Sequence, residues 1–198
     1  MKKIAIFALT IMLFTACRKD INEMGLNARL QAELVSKTNA QNVQVSRPIR
    51  VDFYSTVDLA SPTLNCSMPG VPFAITNSGY FLHGNATHLG LINGETSMGL
   101  DGSCNLNPAT FILSTTTTGR IVSANGDMIT YTGSDAIDLN NVIFHGGTTA
   151  AITGVWTITG GTGRFAGATG SFSINGIVDL TTAGGPTFSI TGDGTITY

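Results

Sequence analysis

The stretch that decides the fold runs from Thr149 to Asn175, TAAITGVWTITGGTGRFAGATGSFSIN. In its first part Ile152, Trp156 and Ile158 alternate with Thr153, Val155, Thr157 and Thr159; in its last part Phe172 and Ile174 alternate with Ser171, Ser173 and Asn175. A period of two with one apolar and one polar set is the mark of a half-buried antiparallel strand. The glycine-rich middle also fits the dinucleotide-binding spacing, as Gly161-Thr162-Gly163-Arg164-Phe165-Ala166. That motif works only if a helix starts there and offers its first amides to a pyrophosphate. Here Ala166-Gly167-Ala168-Thr169-Gly170 leads straight into the next alternating run, which leaves no room for a helix. The segment is read as strand, tight turn, strand, and the nucleotide reading is set aside.

The same period continues on both sides. Val51, Phe53, Ser55 and Val57 alternate with Asp52, Tyr54, Thr56 and Asp58, and Phe188 and Ile190 alternate with Thr187, Ser189 and Thr191. Further strand candidates are Tyr80 to Leu91, Thr110 to Thr117, Ile121 to Ala124, Met128 to Thr132 and Asn141 to His145. Asn93-Gly94, Asn125-Gly126 and Asn175-Gly176 supply the positive φ of two-residue turns, the last being open also to a bulge or sharp bend. With spacings too short for crossover helices, the expectation is an all-β domain over residues 51–198, an up-and-down barrel or a sandwich.

Composition agrees. The chain has 198 residues, 42% hydrophobic and 11% charged, with 24 glycines, values that suit neither a disordered chain nor a helical bundle. From Val51 onward only Arg120 and Arg164 stand against nine acids, a net charge of −7. Such a body repels phosphate backbones and anionic headgroups, so nucleic acid is excluded as a partner.

The front of the chain is different. Lys2 and Lys3 precede an apolar run ending at Ala16, too short to span about 30 Å of hydrocarbon, and the pattern reads as a signal peptide over residues 1–16. Phe14-Thr15-Ala16-Cys17 resembles a bacterial lipobox, with Phe14 where leucine is most common. The resemblance implies cleavage before Cys17 and lipidation of Cys17, palmitate included, so that the lipid bilayer is the first expected partner. Cys17-Arg18-Lys19-Asp20 is similar to the charged export tag of Bacteroidota surface lipoproteins, which implies outer-membrane attachment and leaves the leaflet, periplasmic or cell-surface, open. Residues 17–50 are then a tether. Leu26, Leu30 and Leu34 recur at helical spacing, but so short an isolated helix is marginal, and a partly helical spacer spanning about 30 Å is the simpler reading.

Three ordered segments carry a second resemblance. Ile158 to Ser171 is similar to the GGTG(R/K)F-x-x-A-x-G segment of dirigent and allene oxide cyclase barrels; Thr87-His88-Leu89-Gly90 and Ala124-Asn125-Gly126-Asp127 recur with it in a broad group of bacterial secreted proteins. The resemblance implies an antiparallel barrel of about eight strands with a central cavity. It carries no catalytic residue across, because the polar pocket of those barrels has no residue-by-residue match here.

The remaining chemistry is sparse. Cys66 and Cys104 lie in turn-like surroundings, and in an oxidising envelope such an isolated pair is expected to be bridged. Arg164, Phe165, Trp156 and His88 are the candidates for a barrel end or cavity, with Arg164 expected to pair with a carboxylate such as Asp127. His83, His88 and His145 do not converge as a metal site would need, and no cofactor is expected. No Gly-x-Ser-x-Gly elbow is present. Asp135 and Asp138 read as solvated loop acids, and Thr115 to Thr118 as threonines on solvent faces. The functional expectation is a non-enzymatic envelope lipoprotein whose barrel binds an apolar small molecule or an envelope partner. The alternatives are a cyclase or isomerase acting in the cavity and an adhesive or structural surface protein, with a homo-oligomer open in each case. Polar side chains converging in the cavity favour the enzyme, a wholly apolar cavity favours binding, and a filled barrel with an exposed aromatic patch favours the interaction role.

Overall fold

The computed structural model describes residues 44–66, 73–75 and 77–198. The signal peptide, Cys17, the leucine stripe and most of the tether lie outside the described residues. Among the described residues no helix is long and apolar enough to cross a membrane.

Eight strands close into a ring. They are β1 (Ser46–Val57), β4 (Gly79–Ala86), β6 (Met98–Asn107), β7 (Ile112–Val122), β8 (Met128–Asp138), β9 (Thr149–Thr162), β10 (Thr169–Asp179) and β11 (Thr187–Thr197). Each pairs antiparallel with its neighbour in sequence, and β1 pairs with both β11 and β4, so the first and last strands seal the sheet and leave no open edge in the ring. A hairpin of β2 (Leu64–Cys66) and β3 (Phe73–Ile75) is inserted between β1 and β4, and β5 (Gly90–Leu91) adds to β4. The fold is an antiparallel up-and-down barrel, one of the two architectures the alternation allowed and the one the second resemblance implied.

Inward-facing side chains follow the period of two. Ile49, Val51 and Phe53 on β1, Ile129 and Tyr131 on β8, Trp156 and Ile158 on β9, and Phe172 and Ile174 on β10 are all buried in one core. Thr116, Thr118, Thr132, Thr153, Thr157 and Ser171 point out. A polar exterior over an apolar interior is the reverse of a lipid-facing barrel.

Several local expectations are corrected. The barrel begins at Ser46, five residues before the visible alternation, because Arg47 to Arg50 pair with Asp193 to Ile196 although charged residues and Pro48 interrupt the pattern. The two candidates Thr110 to Thr117 and Ile121 to Ala124 merge into one strand, β7, over Ile112–Val122, with Thr110, Phe111, Ser123 and Ala124 outside it. Asn141 to His145 is helix α1 (Asn140–His145), ended by Gly146 in the left-handed region at φ 64°. Met98–Asn107, with turn-forming Gly, Asp and Asn, is strand β6, so Cys104 lies in a strand, as Cys66 does in β2. Asn175-Gly176 is mid-strand in β10 with unbroken pairing on both sides. Thr115 and Thr117 face inward, 4% and 1% exposed.

Cys66 and Cys104 form a disulfide that ties the β2–β3 hairpin to β6, within a second apolar cluster of Ile75, Leu106, Leu113, Leu139 and Ala150. Closing a loop of 38 residues stabilises the fold by up to about 4 kcal/mol in the chain-entropy account. Replacing both cysteines by serine should lower the unfolding free energy by that order in denaturant titrations; an unchanged midpoint would contradict the stapling role.

Candidate functional site

The two ends of the barrel differ. One end is plugged by the glycine-rich turn between β9 and β10. Gly163 at φ 60° and Gly167 at φ 74° lie in the left-handed region that favours glycine, and a short 3-10 turn (Gly163–Phe165) drives Phe165 inward until it is fully buried. The Phe165 ring packs edge-on to Tyr198, with centroids 4.9 Å apart, and the Arg164 guanidinium lies 4.9 Å from the same ring. Arg164 Nε meets Asp127 Oδ2 at 3.1 Å. His88, held at φ 72° after β4, sits within hydrogen-bond distance of the Pro48 carbonyl, 3.0 Å from Nε2, and against Tyr198. Of the sequence candidates, Arg164, Phe165 and His88 therefore gather at the closed end, and Trp156 stands apart from them in the cavity.

The opposite end is open. There the β1–β4 insertion, helix α1 and the β10–β11 loop surround a cavity of about 680 Å³. Its walls are Leu106, Leu113, Ile152, Val178, Phe188 and Ile190, and polar groups converge on it from several strands: Tyr80, Asp101, Thr115, Asp135 and Trp156. Trp156 stacks on Tyr131 at 4.4 Å and donates its indole N–H to Asp135 Oδ1 at 3.0 Å. The Tyr80 hydroxyl lies 2.8 Å from Thr117 Oγ1 and 3.3 Å from the Tyr131 hydroxyl.

Asp135 and Asp101 are the residues that sequence reading missed. Asp135 is a strand residue, 6% exposed, where a solvated loop acid was expected. Its parity was legible: Ile129, Tyr131, Gly133 and Asp135 share one face of β8. Asp138 ends β8 and accepts the Asn140 amide, which holds its carboxyl below the usual range. Asp101 reaches the interior through a register shift between Asp101 and Ser103, where one extra residue lets both Asp101 and Cys104 face inward. No alternation rule locates such a bulge.

Burial makes both carboxyls hard to ionise. Asp101 is raised to about 7 by burial and by the nearby charge of Asp135, against the opposing Thr117 hydroxyl. Asp135 is raised to about 6 by burial, against the opposing Trp156 N–H. Burial likewise lifts the Tyr80 and Tyr131 phenols, which stay neutral. Between about pH 6 and 7 the pair passes through a singly protonated state, an arrangement that can give or take a proton in an apolar setting. Among the described residues no group of three or more His, Cys, Asp or Glu is placed to hold a metal.

Both groups bind protons more tightly folded than unfolded, so the stability they contribute is complete below about pH 4 and is lost as pH rises through about 6 and then 7. The thermal midpoint should fall between those limits, and Asp101→Asn should flatten the fall. A variant whose midpoint drops as steeply as the parent protein's would contradict the assignment.

No family model matches the chain, and no curated protein matches it in sequence. Among solved structures, the chain is similar to a pterocarpan synthase dirigent protein, with 13% identity over 77% of this chain and 86% of that one and a TM-score of 0.37.

Proposed function

We propose that the protein is a lipid-anchored envelope protein whose barrel holds an apolar small molecule, without transforming it, in the open-ended cavity. The observation that carries the binding half is the cavity itself: about 680 Å³, with mostly apolar walls and a few convergent polar groups, in the size range and style of small-molecule sites. The neutral apolar dye N-phenyl-1-naphthylamine tests it. Trp156, the one tryptophan of the chain, lines the cavity and should transfer its excitation to a bound dye with saturation at one equivalent. Val178→Phe, which fills the wall, should weaken that signal; an unaltered titration would place the dye elsewhere.

The anchoring half rests on the lipobox-like Phe14-Thr15-Ala16-Cys17. Cys17→Ser should move the protein from the detergent phase to the aqueous phase in phase partitioning of producing cells. Unchanged partitioning in that variant would defeat lipid anchoring through Cys17.

A second reading is favoured by one specific observation, the pair of proton-holding carboxyls in the cavity. They suit a cyclase or isomerase that moves a proton on an apolar substrate. Incubating the protein with an organic extract of the producing cells in heavy water tests this. A deuterated product that disappears with Asp101→Asn supports the enzyme, and no deuterium uptake leaves binding alone.

A further inference from the structure

Among the described residues the cavity presents acids and no base. Its charged lining residues there are Asp101 and Asp135, and no described Lys, Arg or His lines it. The ion pairs of the described residues, Arg50 with Asp193 and Arg164 with Asp127, lie elsewhere. Asp135 is 6% exposed and uses Oδ1 for the Trp156 indole, and its Oδ2 is bonded to no described residue. Asp135 therefore presents to the cavity a carboxyl oxygen that no described residue bonds, and a cation lodged there would pair the charge that burial otherwise suppresses. The other described lining side chains offer it no cation. They do offer the aromatic rings of Tyr80, Trp156 and Phe188, whose faces attract positive charge.

We propose that the ligand of this cavity is an apolar molecule bearing a protonated amine, its ammonium group lodged between Asp101 and Asp135 beside the Trp156 ring and its hydrocarbon part against Leu106, Leu113, Val178 and Ile190. The proposal rests on the cavity-binding reading above and names its ligand class. The net charge of −7 from Val51 onward draws cations toward the barrel. Binding also relieves the cost of ionising the pair. The ammonium favours the charged form of both carboxyls, so the proton they share near neutrality is released when the ligand enters. The other groups that face the pair do not titrate in this range: Tyr80 from β4 and Tyr131 from β8 are phenols raised by burial, and β7, β9, β10 and β11 present Thr115 and Thr117, Trp156, Val178, Phe188 and Ile190.

The test uses three probes of equal chain length, decylamine, decanol and decanoate, kept below self-association and followed through Trp156 emission. At pH 8 decylamine should bind about tenfold or more tighter than decanol, the range expected for a hydrogen bond to a charged partner, and decanoate weakest of all. The preference should shrink at pH 5, where both carboxyls are protonated. Asp101→Asn and Asp135→Asn should each reduce it while leaving decanol binding in place; retained decanol binding also shows that the variant is folded. Calorimetry in buffers of different ionisation enthalpy should report proton release with decylamine near pH 7. Decanol binding as tightly as decylamine at pH 8, or an amine preference that survives both substitutions, overturns the cationic assignment and leaves cavity binding standing. If neither neutral nor charged probe perturbs Trp156, the cavity-binding reading fails and this inference fails with it.

Discussion

Removing Gly194 to Tyr198 should abolish cooperative folding. These residues form the last part of β11, where Gly194 to Thr197 pair with Ser46 to Ile49 on one side and with Thr169 to Phe172 on the other. The deletion strips partners from both neighbouring strands, opens the ring and leaves two unpaired edges, each a template for association with another chain. It also removes Ile196, fully buried, and Tyr198, which covers Phe165 at the closed end. The expected result is loss of a cooperative melting transition, with soluble aggregates in size-exclusion chromatography. A monomer with a sharp transition within a few degrees of the full chain would show that the barrel does not depend on closure.

The second large effect is expected at Trp156. Its side chain is 1% exposed and packs on Tyr131, Phe53 and Phe172 while bonding Asp135. Trp156→Ala should cost about 3–5 kcal/mol through lost burial and the void left behind. Trp156→Phe separates the contributions, because it keeps most of the ring packing and removes only the N–H donor. Asp135 then loses the hydrogen bond that favours its charged form, and its carboxyl should titrate still higher, measurable by carboxyl carbon chemical shifts. An Asp135 carboxyl that titrates unchanged in Trp156→Phe would remove the indole from the account of the site.

How far the sequence reached depended on which physical rule governed each segment. Strands with one apolar and one polar face were legible in β1, β9, β10 and β11, and in the Met128 to Thr132 part of β8, because burial on one face imposes the period of two directly. Strand β6 was hidden because its Gly, Asp and Asn residues disfavour strands locally, and pairing with β7 overrides that preference. Helix α1 was mistaken for a strand because six residues of mixed polarity are too few for a period of 3.6 to declare itself, although Gly146-Gly147 marked where a helix could end. Phe165 and Arg164 were placed by glycine spacing, which forces a turn regardless of tertiary context. The acids were the costly miss. Asp135 lay on the inward face by simple parity, but a carboxylate in a core violates expectation and was assigned to solvent. Asp101 depended on a bulge, and bulges are settled by the partner strand rather than by the residue itself.

A ligand that enters the open end of the barrel meets Trp156. The most direct test is the single indole N–H signal of Trp156 in a nitrogen–proton correlation spectrum, followed while N-phenyl-1-naphthylamine is added. Dye bound in the cavity should give a saturable shift of that signal, together with the amides of Asp101, Asp135 and Val178, at one equivalent. An indole signal that stays fixed while only outward-facing residues such as Tyr54, Leu91 or Val155 respond would contradict it.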